Sequence, residues 1–256
     1  MLRVRRSGCF HIGTSGWNYA HWRGLFYPQD SPAREWFARY AQVFRTVEIN
    51  NTFYHLPRER TFDAWRQQAP KSFIYAVKAN RFITHMKKLK DPASTLEKFL
   101  PRAKRLEEHL GPILYQLPPG WRPNLERLRK FCEQLPANLT HVMEFRQPAW
   151  LSEETFRILE EHEVCLCVHD MFPHHPRRVI GKALYVRFHG VGARYGGSYS
   201  RRDLRPWAAW MRETAASGCE VYAYFNNDRN GYAIRNAQTL RELLGVADQM
   251  EMACAA

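Results

Sequence analysis

The sequence predicts an α/β fold, a single (β/α)8 barrel of the TIM-barrel type, as one domain over residues 1–256. Three observations favour it. The chain has 256 residues, close to the roughly 250 that one such barrel needs. Short runs rich in Val, Ile, Tyr and Phe recur eight times. Most of these runs are separated by segments of helical periodicity, the alternation expected of strands and crossover helices.

The eight runs are the predicted strands, and each is about 5 to 8 residues long, a common strand length. Eight strands can close into a barrel that leaves no sheet edge exposed. In chain order they are Phe10–Thr14, Thr46–Asn50, Phe73–Ala79, Ile113–Leu117, Thr140–Phe145, Val164–Val168, Ala183–His189 and Glu220–Asn226.

Several helix ends are readable between these runs. Ser31 followed by Pro32 starts one helix and Asn124 caps another, while Ser200 with an acid three residues later resembles a capping box. An apolar stripe predicts a fourth helix, which ends at Gly111. The stripe comprises Leu96, Phe99, Leu100, Ala103, Leu106 and Leu110.

One connection departs from the alternation. Residues Met171–Lys182 hold two prolines and are too few for a full crossover helix. The helix after the sixth strand is therefore predicted to be short or missing.

Composition limits the class of protein. No run approaches the roughly 18 apolar residues of a membrane span, and the basic N-terminus lacks the apolar stretch of a signal peptide. A cytoplasmic protein without membrane association is predicted. The formal charge of +13 favours an anionic partner, either a small molecule or nucleic acid, although plain solubility explains the charge equally well. No oligomeric state is predicted.

The segments that follow the strands carry the unusual chemistry. In barrels of this type these loops gather at one face, where active sites lie. The first loop is aromatic and includes Trp17 and Tyr19, which either stack on bases or sugar rings or form a small core that roofs the barrel. The third loop is basic. The seventh contains Arg194 and Gly197, which suit a phosphate cradle, although glycines also simply permit tight turns.

Polar residues cluster at the predicted carboxyl ends of the strands, where a buried charge is costly unless it is paired or functional. Alternate strand residues share a face, so Arg187 and His189 point the same way. The candidate catalytic residues are Glu48, Glu144, His189 and Asp170. The candidate substrate-binding residues, besides the loop residues above, are Asn50, Tyr54, Lys78, His85, Gln116, Arg146, Arg187, Asn226 and Asn227.

Other interpretations of these residues stay open. The charged groups can neutralise one another as a layer that caps the barrel core. A divalent metal ion is a further alternative, with Glu48, Glu144, Asp170, His169 and His189 as ligands, although the neighbouring cations would weaken it. On the sixth strand, Cys165 and Cys167 share a face with His169, which suits a soft metal less well than packed core. No cofactor is firmly implied.

Seven segments resemble, in the same order, those of the DUF72 (YecE-like) family of barrel proteins: GTSGWNYAHWRG, VEINNTFYHLP, VKANRFITH, YQLPPGW, EFRQPAW, YVRFHG and YFNND. The resemblance covers about residues 10–244 and supports the barrel. The family pattern extends to Glu48, Asn50, Phe53, Tyr54, Lys78, Thr84, His85, Gln116, Glu144, Arg146, Arg187, His189, Asn226 and Asn227.

The resemblance implies little about the reaction. The family's fold is similar to the barrels of xylose isomerase and endonuclease IV, which by analogy implies a phosphodiester or sugar-phosphate ligand. The fifth-strand motif, often EFRHPSW in the family, has Gln147 and Ala149 here. The full ligand run of a trinuclear zinc site is also missing, so cleavage by that mechanism is not expected.

Three functions are compatible with these residues. The first is an enzyme that acts on an anionic, phosphate-bearing substrate, as a nuclease or a sugar-phosphate enzyme, with Glu48 or Glu144 as base and His189 as acid. The second is a nucleic-acid-binding protein without catalysis that uses the basic third loop. The third is a metal-free isomerase or lyase for a sugar acid.

Overall fold

The structure, a computed structural model, describes residues 8–192 and 195–246. Its eight strands are all parallel and form one nearly closed barrel. All eight predicted strands are confirmed, with ends that shift by up to three residues. They are β1 (Phe10–Thr14), β2 (Thr46–Ile49), β3 (Ile74–Lys78), β4 (Leu110–Gln116), β5 (His141–Glu144), β6 (Cys165–His169), β7 (Ala183–Phe188) and β8 (Glu220–Phe225).

Helices follow every strand but one. The connection from β6 to β7 contains no helix, as predicted from its length and prolines. None of the described helices combines the length and hydropathy that crossing a bilayer requires. The helices are α1 (Ala33–Val43), α2 (Asn51–Tyr54), α3 (Glu59–Gln68), α4 (Pro92–Lys104), α5 (Leu125–Cys132), α6 (Glu153–Glu161), α7 (Arg201–Ala216) and α8 (Tyr232–Leu244), with a π-helix at Phe82–Met86.

Two of the predicted helix starts are confirmed and two helix boundaries are corrected. Asn124 caps α5 with its side chain, and Ser200 opens α7 in a capping box. Ser31 is not the cap of α1, because Pro32 occupies that position and the Ser31 hydroxyl has no hydrogen-bond partner. Gly111 does not end α4, since that helix stops at Lys104 and Gly111 lies within β4.

The barrel has a seam between β1 and β2. Each strand pairs with its neighbours in the order β1-β8-β7-β6-β5-β4-β3-β2, and no backbone ladder joins β1 to β2 in the described ranges. The buried Tyr40 hydroxyl of α1 bridges the gap. It accepts a hydrogen bond from the Thr14 amide (3.0 Å) and donates one to the Thr46 carbonyl (3.0 Å). One side chain thus satisfies a donor and an acceptor that a closed ladder would have paired.

The barrel interior is filled in layers by inward-facing side chains. A cluster of small and aromatic residues, which includes Cys165, Cys167 and Tyr185, occupies its middle. Both cysteines carry free thiols in this core, as the packed-core interpretation predicts. The predicted polar residues follow these core residues by two positions in the same strands. Because every second strand residue faces the interior, the polar side chains form the next layer, toward the carboxyl ends of the strands.

Candidate functional site

Arg187 lies at the centre of the upper layer. It projects from the end of β7 and its side chain is fully buried. Nη2 donates to Glu48 Oε1 at 2.8 Å and Nη1 donates to Glu144 Oε2 at 2.7 Å. One guanidinium therefore links a carboxylate on β2 with a carboxylate on β5 across the barrel, and its geometry suits such paired contacts.

Glu48 is fully buried and every carboxylate oxygen is occupied. Oε1 also accepts a hydrogen bond from Ser15 Oγ (2.8 Å), and Oε2 accepts one from the Tyr185 hydroxyl (2.6 Å). Burial alone would raise the pKa of this carboxyl. Arg187 and the Tyr185 hydrogen bond outweigh burial, and the pKa of Glu48 lies below its usual value.

Glu144 is held in the same way. Its Oε1 pairs with Arg146 Nε and its Oε2 pairs with Arg187. Burial again opposes the charged form, but the two guanidiniums hold the pKa of Glu144 well below its ordinary value. Both buried carboxylates are therefore ionised at neutral pH, and each has its oxygens turned toward protein donors.

His189 connects the arginines to Asp170. Arg146 Nη2 lies 2.7 Å from His189 Nε2, and because a guanidinium only donates, Nε2 accepts. The proton is thereby assigned to Nδ1, which lies 3.3 Å from Asp170 Oδ1. The other Asp170 oxygen accepts a hydrogen bond from the Tyr199 hydroxyl. Burial, followed by the neighbouring arginines, lowers the pKa of His189 to about 4.

Lys78 differs from the other cations of the layer. It sits at the end of β3 with 8% of its surface exposed, and among the described residues no carboxylate oxygen lies within 4 Å of its Nζ. The ammonium instead rests 4.2 Å from the centre of the Phe53 ring. Burial and the charge of Arg187 lower the pKa of Lys78 to about 7, against the opposite pull of Glu144 and Glu48.

Four further predicted residues lie around this layer. Asn50 and Asn226 are half-buried where β2 and β8 end, and Gln116 is buried at the end of β4. Asn50 Oδ1 is shielded from solvent and has no hydrogen-bond partner. His85 packs its ring 4.9 Å from Phe53, and burial followed by the charge of Lys78 lowers its pKa to about 4.

Other predicted residues lie away from this layer. Trp17 packs between Phe37 (5.4 Å) and Trp65 (6.1 Å), which favours the small-core interpretation for that ring. Asn227 is fully buried, and its Nδ2 is committed to the Gly197 carbonyl (2.8 Å) and to Asn236 Oδ1 (2.9 Å). The Trp17 ring is thus committed to packing, and the Asn227 amide holds the loop at Gly197.

The remaining loop residues divide into three cases. Tyr19 is half-buried, and its hydroxyl donates to the carbonyl of Ser15 at 2.6 Å, the residue whose hydroxyl binds Glu48. Tyr54 is 68% exposed at the edge of the barrel mouth, by which we mean the opening at the carboxyl ends of the strands above Glu48, Lys78, Glu144 and Arg187. Arg194 lies outside the described residues.

Three contacts of the layer were not among the predicted site residues. Tyr185 binds Glu48 and stands two positions before Arg187 on the same strand, so strand alternation alone could have found it. Ser15 immediately follows β1, as Asn50 follows β2. Tyr199 lies in the loop after β7, where no spacing rule predicts its contact with Asp170.

The arrangement favours charge pairing over metal binding. Within the described ranges no group of three or more His, Cys, Asp or Glu side chains is placed to hold a metal ion. The carboxylates that a metal would need face guanidiniums instead. The layer therefore provides one buried amine, that of Lys78, beside carboxylates and guanidiniums that are paired with one another.

Comparisons with known proteins agree with this architecture. Residues 11–255 match the sequence model of the family described as "Protein of unknown function DUF72". The UPF0759 protein YunF of Bacillus subtilis (strain 168) is 24% identical over 92% of this chain and 95% of its own length.

Two solved structures have the same fold. A DUF72 family protein from Thermotoga maritima MSB8 is 29% identical, with a TM-score of 0.84 over 92% of this chain and 99% of that one. A DUF72 family protein from Enterococcus faecalis V583 is 19% identical, with a TM-score of 0.78 over 93% and 96%.

Proposed function

The chain belongs to the DUF72 family, and from its barrel mouth we propose that it is an enzyme acting on an anionic, phosphate-bearing substrate by general acid–base catalysis. A phosphodiester or a sugar phosphate fits this class. The observation that carries the proposal is Lys78, a buried amine at a strand end whose Nζ has no carboxylate within 4 Å in the part of the chain that the structure describes. In TIM barrels this end of the strands is where active sites are built.

Lys78 suits proton transfer because of its surroundings. A pKa of about 7 means that the amine and the ammonium are both populated at neutral pH, the condition under which a general acid or base works best. A structural lysine would be expected to pair with one of the carboxylates nearby. Instead, those carboxylates accept hydrogen bonds from arginines. The Nζ of Lys78 is therefore available to a ligand.

The carboxylates and His189 take supporting roles in this proposal, unlike the base and acid expected of them from sequence. Glu48 and Glu144 are ionised, and each of their oxygens already accepts a protein donor. His189 is neutral at pH 7, and its Nε2 lone pair is taken by Arg146. These three side chains hold the guanidiniums in place, and Asp170 orients His189.

Anion binding follows from the same electrostatics. An anion over the mouth is attracted by protonated Lys78, and it replaces the solvation that burial removes from the ammonium. It also offsets the repulsion between Lys78 and Arg187 that helps to lower the pKa of the amine. A phosphate group on the substrate would therefore bind most tightly when Lys78 is protonated.

The test combines a titration with an activity screen. NMR titration of the Lys78 Nζ should give a pKa near 7 that rises on addition of inorganic phosphate. Turnover is screened on labelled single-stranded, duplex and abasic-site DNA and on sugar phosphates. Lys78→Gln should lose phosphate binding and turnover. The control is Lys182→Gln, which replaces an exposed lysine at the opposite face of the barrel and should keep both.

Lys78→Gln is a cleaner variant than Glu144→Gln, because the latter also removes a counter-charge from two buried arginines. Full turnover by folded Lys78→Gln, or a Lys78 pKa near 10.5 that phosphate does not move, would overturn the proposal.

A further inference from the structure

The exposed large hydrophobic side chains gather at one face of the barrel. Seven are exposed in the described ranges. Six of them lie in the segments that leave strands, whereas Val179 lies four residues before the start of β7. Because the carboxyl ends of parallel strands meet at one face, these six surround the mouth. We call them the rim: Leu25, Tyr54, Phe82, Met86, Val191 and Tyr195.

Two rim aromatics stand one side chain away from the candidate site. The Tyr195 ring lies 5.7 Å from the ring of His189. The Tyr54 ring lies edge-on to the Phe53 ring, with 5.1 Å between the ring centres. The Lys78 ammonium lies against the same Phe53 ring. A flat group stacked on either rim ring would therefore reach the mouth.

The loop after β3 adds positive charge beside the rim. Leu89 is buried and anchors the loop, while Lys88 and Lys90 on either side of it are exposed. Lys87 lies 5.8 Å from the Phe82 ring and 3.2 Å from Asp91. In the described part of the chain, Lys88, Lys90 and the exposed Arg81 make no ion pair, so they can meet an external anion.

This combination identifies the class of ligand. Exposed aromatic rings interleaved with lysines suit unpaired bases and a phosphate backbone, since every base has a face that can stack. A lipid surface also attracts apolar and basic residues. However, the rim surrounds polar and charged side chains at the strand ends, Asn50 and Lys78 among them. Acyl chains would leave such groups without partners, whereas the polar groups of a base, sugar or phosphate pair with them.

We propose that the rim and the basic loop bind single-stranded nucleic acid, with bases stacked on Tyr54, Phe82 and Tyr195 and one nucleotide placed over the mouth. This inference rests on the proposed function only for the use of the mouth by that nucleotide. The strand's phosphates lie against Arg81 and the lysines of the loop, and the formal charge of +13 assists the encounter.

Fluorescence anisotropy with a labelled oligo(dT) of about 15 nucleotides, the upper range of a single binding site, tests the stacking. Tyr54→Ala should weaken binding by about 5- to 150-fold, the range expected for loss of one stacked base. Tyr54→Phe keeps the ring and should bind as the wild type does. Equal affinities of Tyr54→Ala and Tyr54→Phe would contradict the inference.

Salt dependence tests the basic loop. Replacing Lys87, Lys88 and Lys90 with Gln should reduce the slope of log Kd against log salt by about 2, at roughly 0.7 for each phosphate contact. The matched control replaces three exposed lysines at the opposite face, whose loss should leave the slope unchanged. These are Lys71, Lys104 and Lys182.

Two results would overturn the inference. One is an equal loss of slope in both triple variants, and the other is binding to phosphatidylserine vesicles without binding to the oligonucleotide. Failure of the proposed function gives a different pattern. In that case the rim-dependent binding persists while turnover does not depend on Lys78. If the inference alone fails, phosphate still raises the pKa of Lys78 although no oligonucleotide binds.

Discussion

Replacing Lys78 with methionine should remove a pH dependence of stability that the wild-type protein carries. The lysine titrates with a pKa of about 7 in the folded chain and 10.5 in the unfolded chain. Between these values the unfolded state binds more protons, so the free energy of unfolding rises with pH. The destabilisation is complete below pH 7 and disappears as the pH approaches 10.5.

The size of the effect follows from the two pKa values. Each pH unit inside the window contributes at most about 1.4 kcal/mol. Between pH 6 and pH 9 the folded-state titration is nearly complete, and Lys78 accounts for a gain of about 2.7 kcal/mol. The low exposure of Lys78, 8%, means that solvent screens little of this contribution.

Urea denaturation at pH 6 and pH 9 measures it. The difference in unfolding free energy between Lys78→Met and the wild type should change by about 2.7 kcal/mol between the two pH values, in favour of Lys78→Met at pH 6. Lys182→Met, at an exposed position, should follow the wild type at both. If the difference in unfolding free energy between Lys78→Met and the wild type is the same at both pH values, the inference that Lys78 is a buried amine with a lowered pKa is refuted.

Other changes test the fold. Tyr40→Phe leaves a buried amide and a buried carbonyl at the barrel seam unpaired and should cost about 1–3 kcal/mol for each group in urea denaturation, with the half-buried Tyr232→Phe unaffected. Arg187→Met leaves the buried Glu48 without a guanidinium and Glu144 with Arg146 alone, and it should cost about 3–5 kcal/mol. Part of this loss should be recovered in acid, and a neutral result would mean that the layer is solvated. Ser200→Ala should lower the melting temperature through the loss of about 1 kcal/mol at the α7 cap.

The strands and their faces could be predicted from sequence because both depend on local rules. A run of β-branched and aromatic residues marks a strand, and period two fixes which side chains enter the barrel. That rule placed Glu48, Lys78, Glu144 and Arg187 together in one layer. It also sufficed to forecast the absent helix between β6 and β7, from the length of the connection.

The pairings between strands of the layer could not be predicted, because they depend on distances across the barrel. Glu48 and Arg187 are 139 positions apart in the chain, and no local pattern says that one guanidinium serves two carboxylates. From sequence, Glu48 and Glu144 were therefore compatible with two roles, catalytic acids or bases and members of a neutralising charged layer, and the observed pairs agree with the second. The packing of Trp17 could not be predicted for the same reason. Its ring contacts Phe37 of α1 and Trp65 of α3, and these contacts depend on how the two helices pack against the barrel.

The paired layer explains why one amine is chemically distinct. Three cations, Lys78, Arg146 and Arg187, face three formal negative charges, Glu48, Glu144 and Asp170, so the layer is formally neutral with Lys78 protonated and carries one negative charge without that proton. Both guanidiniums keep their charge at all working pH values. The proton on Lys78 is thus the one cationic charge of this set that changes near pH 7. An anion arriving at the mouth must then draw in a proton when Lys78 is neutral, which couples substrate binding to protonation of the group that we propose transfers it.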